Sequence, residues 1–134
     1  DIAAVSFRGG LPRGWRAARR SEDAADLKVT DAVELAGVGL TENLRREGLR
    51  VATLIVTHLY PGWNAFATAN EPGRMSGCDG DSGGPAFKGE AEDPLAVGLV
   101  SVGGKKDCSA PSWVGFMRLS DHKDWIQKAL AELR

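Results

Sequence analysis

The stretch that most constrains this chain is Cys78-Asp79-Gly80-Asp81-Ser82-Gly83-Gly84-Pro85. Its glycines and proline make a tight turn, and the turn presents one serine beside an aspartate and a cysteine. A serine in ordinary surroundings is a poor nucleophile. One held by glycines, with unpaired backbone N–H groups around it, can attack a carbonyl carbon. Gly80 and Ser82 can both aim an N–H at one point, and Gly80 has no side chain to block the approach. That point is where the negative oxygen of a tetrahedral intermediate would develop. The bland alternative is a glycine-rich surface hairpin.

With 134 residues, the chain is one compact unit or part of a larger one. Its 17 basic and 18 acidic residues nearly cancel, which argues against binding nucleic acid or a membrane surface by bulk charge. It has no apolar run of about 18 residues that could span a membrane, and no leader pattern. A first residue Asp1 in place of Met implies a processed or trimmed product. Two cysteines allow one disulfide without fixing the compartment. Nothing in the pattern calls for a metal or an organic cofactor. Seventeen glycines among short apolar runs favour a β-rich, turn-rich fold.

Asp1–Phe7 reads as a short strand or strand end before a Gly-Gly-Leu-Pro turn. Residues 13–30 are polar and read as a connection, with a short helix over Ala24–Leu27. Val33–Val38 alternates as a strand. Residues 39–48 form a charged loop. In Leu49–His58 both faces become apolar mid-strand, as in a strand covered on two sides. Tyr60-Pro61-Gly62 is a turn, Trp63–Ala67 a further strand and Asn70–Gly73 a polar loop. Pro85–Lys88, Leu95–Val102 and Val114–Leu119 are strands, the first two joined by an acidic hairpin. The period then changes. Ser120 suits an N-cap, and Trp125, Ile126, Ala129, Leu130 and Leu133 form a helical apolar stripe.

The serine turn resembles the nucleophile loop of the chymotrypsin-trypsin family of serine proteases. The resemblance extends over nearly the whole chain. Val33–Gly39 is similar to that family's glycine-bracketed tryptophan strand, with Val38 where tryptophan is usual. Val97–Gly103 is similar to the strand that flanks the substrate, with Val102 in the tryptophan position. Phe116 matches the aromatic of the last strand, and Trp125-Ile126 the terminal helix. The fold this implies is all-β: the C-terminal six-stranded Greek-key barrel of a two-barrel protease, with a C-terminal helix. Residues 1–30 would be the end of a first-barrel strand and the connection between barrels, 31–119 the barrel and 120–134 the helix.

The resemblance also implies site residues. Asp1-Ile2-Ala3 resembles the family's segment whose aspartate orients the catalytic imidazole. Asp1 lies about 36 residues before Gly37 and about 80 before Ser82, close to the family's separations. The catalytic pair would be Asp1 and Ser82, with the Gly80 and Ser82 N–H groups as the oxyanion hole. Neither His58 nor His122 sits in the family's histidine context, so the catalytic histidine would come from an upstream chain. That chain would also bring an Ile- or Val-led N-terminus to pair with Asp81, because a buried carboxylate needs a partner.

Cys78 and Cys108 would form a disulfide worth roughly 3–4 kcal/mol in the chain-entropy model. The substrate pocket would comprise Ser76, Gly77, Ser101, Val102 and Gly103. Ser76 at its floor carries no charge for a basic side chain. Gly77 and Gly103 leave room for an apolar or aromatic one, and Ser112, Trp113 or Val114 could narrow it. Gly104-Lys105-Lys106-Asp107 adds positive charge at the rim or is a solvated turn.

The implied function is a secreted serine endopeptidase acting on peptides or proteins through an acyl-enzyme on Ser82. The alternative is a catalytically silent homologue that acts as a binding or regulatory module. An α/β-hydrolase esterase is excluded, because Gly83-Gly84-Pro85 leads into a strand and not a helix.

Overall fold

Residue-by-residue alternation builds a closed barrel. A computed structural model of the chain describes all residues except 42, 46, 70–75, 104–107, 109–112 and 134. The strands are β1 (Arg19–Arg20), β2 (Ala32–Gly37), β3 (Arg50–Tyr60), β4 (Ala65–Ala69), β5 (Pro85–Lys88), β6 (Leu95–Gly103) and β7 (Trp113–Arg118), followed by helix α1 (Lys123–Glu132). The ring runs β2-β3-β4-β7-β6-β5 and closes on β2, every pair antiparallel. Pairing β4 with β7 and leaving β5 next to β2 is the Greek-key order. The two-residue β1 joins β6 in parallel, outside the ring.

Val33 and Leu35 of β2, Leu54 and Val56 of β3, Phe66 of β4, Val97 and Val100 of β6 and Phe116 of β7 fill the interior. The rings of Phe66 and Phe116 stack with centroids 4.7 Å apart. The other face of β3 is not covered: Val51 and Ile55 remain exposed, although its apolar middle reads like a strand buried on both sides. Alternation also fails in β6, where the register shifts between Val100 and Val102. Ser101 is the extra residue of that β-bulge, and a second shift against β5 leaves Val97 as an extra residue, so that Val97 and Val100 are both buried.

Four expected elements differ. Asp1–Phe7 forms no strand, since it joins no ladder with the described residues. Trp63 belongs to a 3-10 turn over Pro61–Trp63, so β4 starts at Ala65. Ser120 does not cap the helix. It opens another 3-10 turn, Ser120–His122, and α1 begins only at Lys123, with no side-chain cap. The short helix read at Ala24–Leu27 is a 3-10 turn over Ala24–Asp26, capped by Asp23. The loop at 70–73, the insertion at 104–107 and Ser112 lie outside the described residues.

Polar side chains fix the connection to the barrel. Arg118, 5% exposed, donates from Nη2 to the carbonyls of Ala24 and Leu27 and pairs with Asp121 at 3.7 Å. Lys88 Nζ donates to Asp31 Oδ2 at 2.7 Å, and the Lys28 N–H donates to the same oxygen at 2.7 Å. Burial works to raise the Asp31 carboxyl. The Lys88 hydrogen bond, the Lys28 N–H and the two ammonium charges together outweigh it and hold the group below its usual 3.8. A carboxyl depressed on folding stabilises the fold above its unfolded value of about 3.9 and loses that contribution as pH falls through the folded value. Asp31→Asn is therefore expected to lower the urea midpoint at pH 7 and to narrow its gap from the native chain at pH 3. An equal gap at both values would contradict this.

Candidate functional site

Two glycines explain why the serine turn docks where it does. The Asp81 side chain, 8% exposed, lies under the Gly37-Val38-Gly39 segment at the end of β2. Its Oδ1 accepts the Gly39 N–H at 2.8 Å and its Oδ2 accepts the Cys78 N–H at 2.9 Å. A Cβ at Gly39 would stand 2.6 Å from the Asp81 Cγ, and one at Gly37 would overlap the same carboxylate. Both positions must be glycine for the carboxylate to enter. Val38 between them is exposed, as is Val102, so valine at these positions opens no hole in the core. The Leu40 N–H donates to the Asp79 carbonyl at 2.9 Å, adding a second tie to the turn.

The downstream side of the turn is held by β6. The Gly83 N–H donates to the Val100 carbonyl at 2.8 Å, and the Val100 N–H donates to the Gly84 carbonyl at 2.9 Å. The next residue, Ser101, is displaced by the bulge, and its Oγ donates to Asp1 Oδ2 at 2.9 Å. Consecutive residues of one strand thus anchor the Ser82 turn and Asp1. Ser82 is exposed. Gly80 takes φ = 97°, a left-handed backbone that glycine adopts without steric cost. The N–H groups of Gly80 and Ser82 donate to no described residue, while the Asp81 N–H turns back to Cys78 O.

Cys78 and Cys108 are disulfide-bonded, with Cα atoms 5.3 Å apart. The bond closes a loop with a separation of 30 residues. Replacing both cysteines by serine is expected to cost about 3 kcal/mol, measured as a lower urea midpoint. An unchanged midpoint would mean that the Asp81, Leu40 and Val100 hydrogen bonds hold the turn without the disulfide.

Among the described residues neither histidine is hydrogen-bonded to Asp1 or Ser82, although His58 lines one apolar cleft with Ser101 and Val102. His58 is exposed and stacks on Tyr60, centroids 5.8 Å apart, and Tyr60 stacks on Trp63. His122 Nδ1–H donates to the Arg118 carbonyl at 2.9 Å. No group of three or more His, Cys, Asp or Glu residues able to hold a metal occurs among the described residues. Among them, no helix is long and apolar enough to cross a membrane.

The expected pocket residues divide. Ser101 and Val102 line an apolar cleft of roughly 660 Å³ on the outer face of the barrel, walled by Tyr60, Trp63, Trp113 and Met117. Ser76 and Gly77 are on the inner side, and the buried Ser76 Oγ has no hydrogen-bond partner among the described residues. The room expected beside Gly77 is taken: a Cβ there would meet Leu35 Cδ2 at 2.9 Å and Val114 Cγ2 at 3.1 Å. Beside Gly103 a Cβ would meet nothing within 4 Å. Sequence reasoning missed both the bulge that aims Ser101 at Asp1 and the filling of the space at Gly77. A bulge leaves no local composition signal, though Val114 was among three candidates to narrow the pocket.

Comparison with known proteins agrees with the barrel fold. The family model described as Trypsin matches residues 1–126. A curated relative, glucanase inhibitor protein 4 of Phytophthora infestans, is 36% identical over 85 residues. The match covers 61% of this chain and 30% of that protein, so it spans less than a third of the relative's length.

Proposed function

Because the chain belongs to the trypsin family, we propose that it is the serine-bearing part of a serine endopeptidase, active together with a polypeptide segment that supplies the histidine. The observation that carries this reading is the double anchoring on β6, with the Ser82 turn bonded at Val100 and Asp1 bonded at Ser101. An imidazole seated between Asp1 and Ser82 would complete the arrangement.

Ser82 Oγ then attacks the carbonyl carbon of the scissile peptide and passes its proton to the imidazole. Asp1 accepts the imidazole's other N–H and stabilises the imidazolium. The Gly80 and Ser82 N–H groups, which donate to no described residue, are the donors available to the developing oxyanion. The protonated imidazole releases its proton to the departing amine, which leaves an ester on Ser82. Water, deprotonated by the same imidazole, hydrolyses that ester. The upstream segment also provides an Ile- or Val-led ammonium for Asp81. The substrate is a peptide or protein with an apolar residue before the scissile bond, since the uncharged Ser76 offers no counter-ion for lysine or arginine. A secreted location is supported by the Cys78–Cys108 disulfide, a bond that persists in oxidising compartments.

A second reading, a silent homologue that binds and regulates another protein, is favoured by the relative named as a glucanase inhibitor. Co-production with the histidine-bearing segment separates the two. The protease reading expects turnover of a casein-type substrate, blocked by a serine-directed phosphonylating agent. Stable binding of a partner protein with no turnover would favour the second.

A further inference from the structure

We propose that Thr41 is a positioning residue for the oxyanion donor of the serine turn, acting through the Leu40 N–H that holds the Asp79–Gly80 peptide in place. This rests on the proposed peptide hydrolysis and adds a residue to its site.

The Asp79 carbonyl and the Gly80 N–H belong to one peptide unit. That unit is planar, and in its trans form the N–H points away from the carbonyl. The direction of the carbonyl therefore sets the direction of the donor. The Leu40 N–H donates to the Asp79 carbonyl at 2.9 Å and so ties the whole unit to the loop after β2. Gly80 does not fix the orientation itself. It takes φ = 97°, but a glycine adopts either sign of φ at little steric cost, so the unit is free to turn over. Asp81 does not fix it either. Its carboxylate accepts the Gly39 and Cys78 N–H groups, and neither belongs to the Asp79–Gly80 unit.

Leu40 is held by its neighbours. Thr41 is 2% exposed, although it is a polar residue in a charged loop. Its N–H donates to the Arg45 carbonyl at 2.9 Å, and its carbonyl accepts the Leu44 N–H at 2.8 Å. Its Oγ1 accepts the Asn43 N–H at 3.2 Å and the Arg45 N–H at 3.4 Å. A threonine hydroxyl bonded to the backbone two residues on closes a turn by itself. Leu44 takes φ = 56°, a left-handed backbone that costs a leucine energy and persists only where its surroundings impose it. The Thr41 bonds impose it. Leu40 thus lies between Gly39, bonded to Asp81, and Thr41, bonded to Leu44 and Arg45, and its N–H is aimed from both sides.

The native protein, Thr41→Val and Thr41→Ser can be compared after assembly with the histidine-bearing segment, each titrated with a fluorophosphonate. Valine keeps the shape and removes the acceptor, whereas serine keeps the acceptor. Removing an oxyanion donor outright lowers kcat by about 10²–10³-fold. Thr41→Val lets the donor swing and is expected to lower kcat on a peptide amide by about tenfold or more, within that limit. KM is expected to stay unchanged, because the donor acts in the transition state and not on the bound substrate. Thr41→Ser is expected to restore kcat. A merely structural threonine would lower the urea midpoint in Thr41→Val and leave kcat per titrated serine as it was. That result would overturn the proposal, as would an equal loss of kcat in Thr41→Ser and Thr41→Val.

Amide exchange gives a readout independent of turnover. The Leu40 N–H is expected to be protected in the native protein and to lose protection in Thr41→Val, while the amides of β2 and β3 keep theirs. Where Thr41→Val does not fold, the native protein decides. A Leu40 N–H that exchanges as fast as the exposed residues 8–18 overturns the proposal. Absence of a titratable serine in the native protein is a different result. It overturns the proposed hydrolysis, and the part of Thr41 in it, whatever the Leu40 exchange.

Discussion

Ser82→Ala is expected to remove peptide hydrolysis while leaving the fold intact. Ser82 is exposed, and its side chain bonds to no described residue, so its loss breaks no packing. A surface change of this kind moves stability by no more than about 0.5 kcal/mol. The chemistry has no substitute. Every step of the proposed reaction passes through the Ser82 Oγ, as attacking group and then as ester oxygen. Loss of the nucleophile in such a unit lowers kcat by roughly a millionfold, and the remaining rate comes from the oxyanion donors and substrate binding. The measurement is hydrolysis by the protein assembled with its histidine-bearing segment, beside a urea titration of the same preparations. A variant that unfolds at the native midpoint and shows no turnover fits. A variant that retains the native rate would remove Ser82 from the reaction.

Asp81→Asn is expected to weaken the fold and the reactivity of Ser82 together. The native carboxylate accepts two backbone N–H groups, from Gly39 and Cys78, in a slot cleared by two glycines. An amide offers one oxygen and one NH₂, so one N–H in that slot must face another donor. Leaving such a buried group unsatisfied costs about 1–3 kcal/mol, and hydrogen bonds to a charged group add to the loss. Because Asp81 precedes Ser82 directly, the same disturbance reaches the Gly80 and Ser82 N–H groups. Gly39→Ala is expected to act alike from the other side of the slot, since its Cβ would come within 2.6 Å of the carboxylate. Urea midpoints and the rate of Ser82 phosphonylation both fall in this account. A variant that keeps both would mean the turn holds its shape without Asp81.

Local pattern made the barrel strands legible. β5 matches its expected bounds, and β2, β3, β6 and β7 fall within one or two residues of theirs, because alternation and glycine-rich turns act over neighbouring residues. What escaped depends on distant contacts. Asp1–Phe7 has the composition of a strand, but a strand needs a ladder partner, and no described residue supplies one. Arg118 at the end of β7 is buried because carbonyls of Ala24 and Leu27 and the Asp121 carboxylate receive it, contacts that no local pattern announces.

At the site, the serine turn, the disulfide and the glycine bracket were visible as residue types. The reason for the bracket was not, since Gly39 and Asp81 meet across a separation of 42 residues. The contact of Ser101 with Asp1 was likewise invisible, because it follows from a one-residue slip in β6.

Intact mass spectrometry before and after a fluorophosphonate, on the protein assembled with its histidine-bearing segment, tests the central claim most directly. The expected result is one adduct per chain, mapped to Ser82 and absent from Ser82→Ala. A folded, assembled protein that takes up no adduct would contradict it and leave the serine turn as scaffold for a binding protein.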